Sequence, residues 1–303
     1  MIKTNWNSRT SIHILTRQRH DYLSCLLTSL INQTYINWDL SILDNNDEGI
    51  ELDKHPLTIC LLRKIKYAKH NVTILRAKEE IRKNIGLSRN LLIESETNKY
   101  ACRVDDDSIL DPHYLEYLWL GMKDTTTAAV GGVVPTIFAP ACYKYPPPIF
   151  NEIKRSTVPE RYIELSNKYP DIEGGFKNED EEYYNVGEPM PDSPYLYPPT
   201  ALTILPSHHL QSSYLFSIDA LKCINGFPSS DDTGFREETI ASILLLEKGF
   251  KLYTNTQAIA YHCWAPNLGR ATPPEEHERK ILKNEINFQR NYQSTLRKLF
   301  DRK

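Results

Sequence analysis

The sequence predicts an α/β fold with a mostly parallel, Rossmann-like central sheet flanked by helices. Through the first hundred residues, short apolar strands alternate with helical spacing, the pattern of βαβ units. Three of those strands end in polar residues that would fall on one sheet edge: Thr16 and Arg17, Asp44, and Asp105-Asp106-Asp107. A chain of 303 residues, 40% of them hydrophobic, is long enough to bury a large core.

Ser11-Ile12-His13-Ile14-Leu15 reads as the first strand. Asp21 is placed to cap the next helix, where Leu23, Leu26, Leu27, Leu30 and Ile31 recur at helical spacing. Trp38 to Leu43 and Val72 to Leu75 are the second and third strands. Asn84 opens a helix through Ile93, and Tyr100 to Val104 is the fourth strand.

The stretch 140–206 is a long insertion rich in proline and tyrosine, with Pro146-Pro147-Pro148, an acidic run from Glu179 to Glu182, and Tyr143, Tyr145, Phe150, Tyr183, Tyr184, Tyr195 and Tyr197. It reads equally as a lid or binding platform and as a surface elaboration. Ser213 to Ser217 is a further strand, with a helix from Ile218 to Gly226. The segment Phe235-Arg236-Glu237-Glu238-Thr239 leads a helix that closes at Gly249. Lys251-Leu252-Tyr253 and Ala258-Ile259-Ala260-Tyr261 read as two strands, followed by His262. The tail after Glu278 reads as an amphipathic helix packed on the domain, basic on its outer side.

A net charge of −3 and a pI near 6.3 give no global electrostatic case for nucleic acid. Cys25, Cys60, Cys102, Cys142, Cys223 and Cys263 are scattered, with no C-x-x-C pair, so neither a zinc site nor a disulfide framework is indicated. Several lie in apolar runs and read as buried thiols of a reducing compartment. The stretch Met1 to Trp6 lacks the apolar core of a signal peptide, and no apolar run approaches the roughly 18 residues that span a bilayer. The expected location is cytoplasmic, with peripheral membrane contact allowed.

The three consecutive aspartates carry the chemistry. Like charges at contact distance are tolerable where a cation neutralises them, and hard carboxylate oxygens suit Mg²⁺ or Mn²⁺. The alternative of equal weight is a solvated acidic turn leading to a helix, with Asp111 or Ser108 as the helix cap. Neither G-x-G-x-x-G nor a Walker A sequence is present, so bound phosphate would need a metal and basic side chains. Arg17 and Arg89 are the first candidates, Arg19 and Arg82 weaker ones.

Taken in order, these segments resemble family 2-type glycosyltransferases of the GT-A fold. The resemblance rests on Ser11 to Arg19 with Leu30-Ile31-Asn32-Gln33-Thr34, Ile42 to Asn46, Gly86-Leu87-Ser88-Arg89-Asn90, Asp105-Asp106-Asp107 with Asp111-Pro112, Asn225-Gly226-Phe227, Phe235 to Thr239, Lys248-Gly249-Phe250, and Tyr261-His262. Two departures stand out. Glu237-Glu238 replaces the usual Glu-Asp, and Asn225-Gly226 replaces a double glycine.

The resemblance implies a metal-dependent inverting transfer of a sugar, of hexosyl type, from a nucleotide-sugar donor, with UDP favoured, to an acceptor hydroxyl. It implies Thr16, Arg17, Asp44, Arg89, Asp105 and Asp106 around the nucleotide sugar, Asp107, Asp105 and His262 on the metal, and Glu238 or Glu237 as base. Asp106 is the spacer expected to matter least. The acceptor is a glycan or another hydroxyl-bearing molecule; nucleic acid is not favoured. The implied organisation is a donor half over 1–110, an acceptor half over 111–270 that includes the insertion, and a basic helical tail over 271–303.

Two other readings compete. A nucleotidyltransferase would carry a glycine-rich loop after the first strand, and Thr16-Arg17-Gln18-Arg19 has no glycine. A catalytically inactive binding protein of the same fold would have little reason to keep the aspartates, Glu237-Glu238 and His262 together.

Overall fold

A computed structural model describes residues 8–82, 84–135, 149, 151–186, 204–228, 236–263 and 273–301. Its first half alternates as predicted: β1 (Thr10–Thr16), α1 (His20–Ile31), β2 (Trp38–Asp44), α2 (Pro56–Tyr67), β3 (Val72–Arg76), α3 (Glu79–Arg82), α4 (Ile85–Glu94) and β4 (Tyr100–Asp105). Next come β5 (Ser108–Leu110), α5 (Tyr114–Gly121), β6 (Thr127–Val133), β7 (Lys154–Ser156), α6 (Glu160–Lys168) and β8 (Tyr183–Asn185). The described chain closes with β9 (Ile204–Pro206), β10 (Tyr214–Ser217), α7 (Ile218–Lys222), α8 (Glu237–Glu247), β11 (Lys251–His262) and α9 (Pro274–Asp301).

The main sheet has the order β3-β2-β1-β4-β10-β6-β11-β5, with β9 also paired to β11. Strands β1, β2, β3, β4, β6 and β11 run one way, and β5, β9 and β10 oppose them, so the sheet is mostly parallel. Both faces are covered, which is why the central strands are near-continuous apolar runs. On one face Ile12, Ile14, Leu40, Ile42 and Val104 pack with Leu23, Leu26, Leu27 and Leu30 of α1 and Leu118 and Trp119 of α5. On the other, Ala101 and Phe216 meet Ile93, Leu221, Phe227 and Leu245. Each fully buried leucine contributes roughly 1.5–3 kcal/mol. The parallel register sets Leu15 opposite Asp105 and Thr16 opposite Asp44, so three polar strand ends share one edge.

Several expectations are corrected. α1 starts one residue before Asp21, with Arg19 at its cap position and no side-chain cap bond. Asp21 instead adds negative charge to the first turn, where the helix dipole favours it. The two expected late strands are one bent strand, β11, whose pairing with β6 shifts register between Thr254 and Ile259. Cys25, Cys60 and Cys223 are exposed and Cys263 half-buried; of the described cysteines only Cys102 is a buried thiol. The two helical cysteines fall on the outer side of α1 and α2, where an apolar neighbourhood in sequence says nothing about facing.

In the insertion, 151–186 forms a β7–β8 hairpin enclosing α6. Tyr183 and Tyr184 are fully buried, so neither contributes an exposed face to a binding platform. The triple proline, Tyr143, Tyr145, Phe150, Tyr195 and Tyr197 lie outside the described residues. The expected C-terminal helix is α9. It seats Leu282, Ile286, Phe288, Leu296 and Leu299 on the domain, burying its apolar face as the amphipathic pattern requires. Among the described residues no helix is long and apolar enough to cross a membrane.

Candidate functional site

At the end of β4 the chain turns through Asp106 and Asp107 into β5, which lies antiparallel on the last turn of β11 with Ser108 opposite His262. That pairing carries His262 to the aspartates from 155 residues away in sequence (262 − 107). His262 Nε2 lies 3.1 Å from Asp107 Oδ1. Asp105, Asp107 and His262 each bring a ligand atom within 4.8 Å of the other two. Two carboxylates and an imidazole form a hard oxygen/nitrogen donor set that fits Mn²⁺ or Mg²⁺. Hydrogen bonding to Asp107 raises the His262 imidazole above its ordinary value against the opposing effect of burial.

Asp106 is not the idle spacer the sequence suggested. It is 4% exposed, accepts Thr16 Oγ1 at 2.8 Å and Arg19 Nη1 at 3.0 Å, and so locks the ends of β1 and β4 together. Burial, with Asp107 alongside, pushes its carboxyl up to about 6 despite Arg19. The same Arg19 nitrogen reaches Asp107 Oδ2 at 3.1 Å. Arg19, a secondary candidate by sequence, therefore stands closer to the aspartates than Arg17, which pairs with Asp47 at 3.2 Å. Asp44 is buried at the end of β2, where its carboxylate accepts the backbone N–H of Asn46 at 3.0 Å and of Leu52 at 3.1 Å. It orders the loop beyond its strand. Arg82 Nη1 donates to the Asn46 carbonyl at 3.1 Å, on the same loop.

The second half of the site is a buried ionic cluster. Arg89, on α4, lies 3.3 Å from Glu237, 3.7 Å from Glu238 and 3.7 Å from Asp105. It is buried, not the surface arginine that a helix position alone suggests. Arg103, inside β4, lies 2.5 Å from Glu238 and 2.9 Å from Asp105, and its guanidinium faces the Tyr214 ring. Sequence reasoning missed Arg103, although a signal existed: an arginine inside a strand apolar on both sides must be buried with a partner. His209 was missed as well. Burial pushes its imidazole down to about 4, so it is neutral near Glu238.

Glu237 and Glu238 open α8, where its dipole favours anions. The Glu237 side chain is 2% exposed and that of Glu238 17%. Burial, with Glu238 beside it, raises the Glu237 carboxyl. Glu238 is pulled the other way: Arg103 and then Arg89 outweigh its burial and hold it well below the usual carboxylate range. Glu237 Oε2 and the Nε atoms of Arg89 and Arg103 are buried without a hydrogen bond among the described residues. Phe235 lies outside them.

Further bonds tie the motif segments together. The Asn90 side chain donates to the Phe227 carbonyl at 2.8 Å and accepts the Phe227 N–H at 2.8 Å, joining α4 to the turn after α7. That turn is left-handed at Asn225 and Gly226, with φ of 63° and 79°. Asparagine tolerates this conformation, so the missing second glycine changes little. Gln33 donates to the Asp111 carbonyl at 2.8 Å, setting the exit of α1 against the segment after the aspartates.

The glycosyl transferase family 2 model matches residues 11–177, more than half the chain. The chain belongs to glycosyl transferase family 2. Among solved structures, GalNAc-T7 with UDP, GalNAc and Mn²⁺ matches with a TM-score of 0.63 at 12% identity, over 96% of this chain and 50% of that one. The mannosyltransferase PcManGT from Pyrobaculum calidifontis, in complex with GDP-Man and Mn²⁺, gives 0.52 at 11% identity, over 99% and 75%. S. aureus TarS 1-349 in complex with UDP-GlcNAc gives 0.51 at 13% identity, over 94% and 75%. At these identities the likeness is one of fold, and the fold is the GT-A fold expected for the family. The chain spans 43% of a longer TarS structure. No curated protein matches it by sequence. In this family 2 chain, the aspartates, His262 and the Glu237-Glu238 pair all lie at the carboxyl edge of the sheet, where open α/β folds bind ligands.

Proposed function

We propose that this protein is a metal-dependent, inverting glycosyltransferase that moves a hexosyl group from a nucleotide sugar, UDP-linked by preference, to an acceptor hydroxyl. The observation that carries this reading is the Asp105–Asp107–His262 donor set, joined through Arg103 and Arg89 to a carboxylate pair at a helix start. Neighbours of the same fold were solved with UDP, UDP-GlcNAc or GDP-Man, two of them with Mn²⁺.

In this reading Asp107 and Asp105, with His262, hold Mn²⁺ or Mg²⁺, and Asp105 also faces the ribose. A divalent cation held there supplies Lewis-acid stabilisation to the departing diphosphate. Thr16, Arg17, Asp44 and the loop it orders frame the nucleoside, and Asp106 acts on it through Thr16 and Arg19. Residues 1–110 form the donor half and 111–270 the acceptor half. The acceptor is a glycan or another hydroxyl-bearing molecule.

Glu238 is the base, because Glu237 is enclosed behind it. The acceptor O–H proton passes to the Glu238 carboxylate as the acceptor oxygen bonds to the anomeric carbon. The bond from that carbon to the diphosphate oxygen breaks on the opposite face, inverting the centre. Arg103 and Arg89 keep Glu238 ionised at neutral pH.

The test is Glu238→Gln. Positioned general bases contribute about 10²–10⁴-fold. Turnover of a nucleotide-sugar panel with Mn²⁺ should fall by that order, with UDP affinity by calorimetry unchanged. Normal turnover in Glu238→Gln beside an inactive Glu237→Gln would move the base one residue back.

A further inference from the structure

The carboxylate pair is held from behind by the C-terminal helix. Arg236, the residue immediately before Glu237, is the cap position of α8 and adopts a left-handed backbone with φ of 71°. A non-glycine residue keeps that conformation only where its surroundings fix it. Its side chain points away from the site and is buried. Nε donates to Glu285 Oε2 at 3.0 Å and Nη1 to the Val186 carbonyl at 2.8 Å, and the guanidinium lies 5.1 Å from the Phe288 ring centre.

Glu285, on α9, is fully buried. Its Oε1 accepts Tyr183 Oη at 3.0 Å and Gln289 Nε2 at 3.0 Å, and Tyr162 Oη approaches Oε2 at 3.5 Å. Gln289 also pairs with both the N–H and the carbonyl of Tyr184, at 3.1 and 2.8 Å. A buried carboxylate with this many donors is fixed in place, and what it fixes is the residue from which the Glu237-Glu238 pair departs.

We infer that Glu285 and Arg236 are positioning residues for the Glu237-Glu238 pair, so that α9 and the β8 segment set the aim of the base although neither reaches the site. This rests on the reading of Glu238 as the base given above. Asp105 ends β4 and Asp106 and Asp107 form the turn after it, whereas α9 packs on α6, α8 and β8, so the inference separates two quantities. Losing the anchor should impair transfer and spare nucleotide binding.

The experiment uses the full chain and two variants. Glu285→Gln keeps the shape and removes the charge. Arg236→Gly accepts the left-handed backbone without strain and removes only the side-chain anchor. The readouts are hydrolysis of a nucleotide-sugar panel with Mn²⁺, UDP–Mn²⁺ affinity by calorimetry, and circular dichroism to verify folding. Both variants should lose at least tenfold in kcat, with KM and UDP affinity within about twofold of the wild type.

Full kcat in a folded variant would overturn the inference, as would an equal loss of UDP affinity, which marks general damage. If Glu285→Gln fails to fold, Arg236→Gly decides alone; normal kcat there would mean that the backbone turn, not its anchor, aims the base. A wild type that neither hydrolyses any nucleotide sugar nor binds UDP with Mn²⁺ would defeat the proposed function. An active wild type beside unaffected variants would defeat only this inference.

Discussion

Arg103 makes the sharpest prediction, because it is a single buried cation shared by two carboxylates that the proposed function separates. Arg103→Met keeps most of the side-chain length on β4 and its apolar contact with Tyr214. It removes the partners lying 2.5 Å from Glu238 and 2.9 Å from Asp105. Removing one partner of a buried ion pair costs about 3–5 kcal/mol, and Arg89, still 3.7 Å from both Glu238 and Asp105, places the loss at the lower end. At about 2–4 °C per kcal/mol for a chain approaching this size, the melting temperature at pH 7 should fall by roughly 10 °C.

The pH dependence follows from the same contact. In the wild type the Glu238 carboxyl is depressed, so its contribution to stability is present above its ordinary value of about 4.5 and is lost as pH falls through the depressed one. Without Arg103 the carboxyl rises from that depressed position, because only Arg89 is left to oppose its burial. The stability its charge contributes at neutral pH shrinks accordingly. The gap between variant and wild type should be widest at pH 7, shrink below about pH 4.5 and close only as pH falls towards 2. Adding Glu238→Gln to Arg103→Met should restore several degrees at pH 7, because it removes a buried charge that Arg89 alone compensates less well. A single variant that melts with the wild type at pH 7, or a double variant no better than the single, would refute the pairing.

Asp107→Ala should abolish the gain in UDP affinity that Mn²⁺ confers; a titration with equal affinity with and without metal would sink the metal assignment. Glu96, buried against His13 at 2.9 Å, is held down to about 2 by its donors, so it stabilises above about pH 4.5 and loses that contribution as pH falls towards 2. Glu96→Gln should therefore cost up to about 3 kcal/mol at pH 7 in urea unfolding, with the difference closing in acid. Gly226→Ala places a Cβ 2.3 Å from Asn90 Oδ1 at a φ of +79°. It should cost at least about 1–2 kcal/mol, read as a lowered melting temperature; an unchanged one would mean that the turn relaxes freely.

What the sequence made legible follows from what periodicity encodes. Alternating apolar runs fixed the order of β1 to β4, and their polar ends fixed the edge that carries the site. Facing on a helix or strand is harder to read. Cys25 and Cys60 lie among apolar neighbours yet point outward, and Tyr183 and Tyr184 lie in a proline-rich insertion yet point inward. Arg103 was hidden for the opposite reason. The apolar run around it signals burial, but its partner Glu238 lies 135 residues away (238 − 103), and nothing local says which carboxylate it meets. Asp106 was undervalued because spacing describes which residues alternate, not which of them Thr16 and Arg19 reach across the sheet.

The charges at the sheet edge bear on why the two halves of the site are joined. Five carboxylates (Asp105, Asp106, Asp107, Glu237 and Glu238) face three guanidiniums (Arg19, Arg89 and Arg103), a formal balance of 3 − 5 = −2 with every group ionised. One divalent cation brings that balance to zero. Because Arg89 and Arg103 each reach both Asp105 and Glu238, charge added at Asp105 is felt at Glu238 through a shared guanidinium, not across bulk solvent where it would be screened. A cation on Asp105 competes with the arginines for that carboxylate and leaves them more fully to Glu238. In the proposed function, a metal on Asp105 would thus favour the ionised form of Glu238, and a chain that lost either arginine would have to fill the two halves of the site independently.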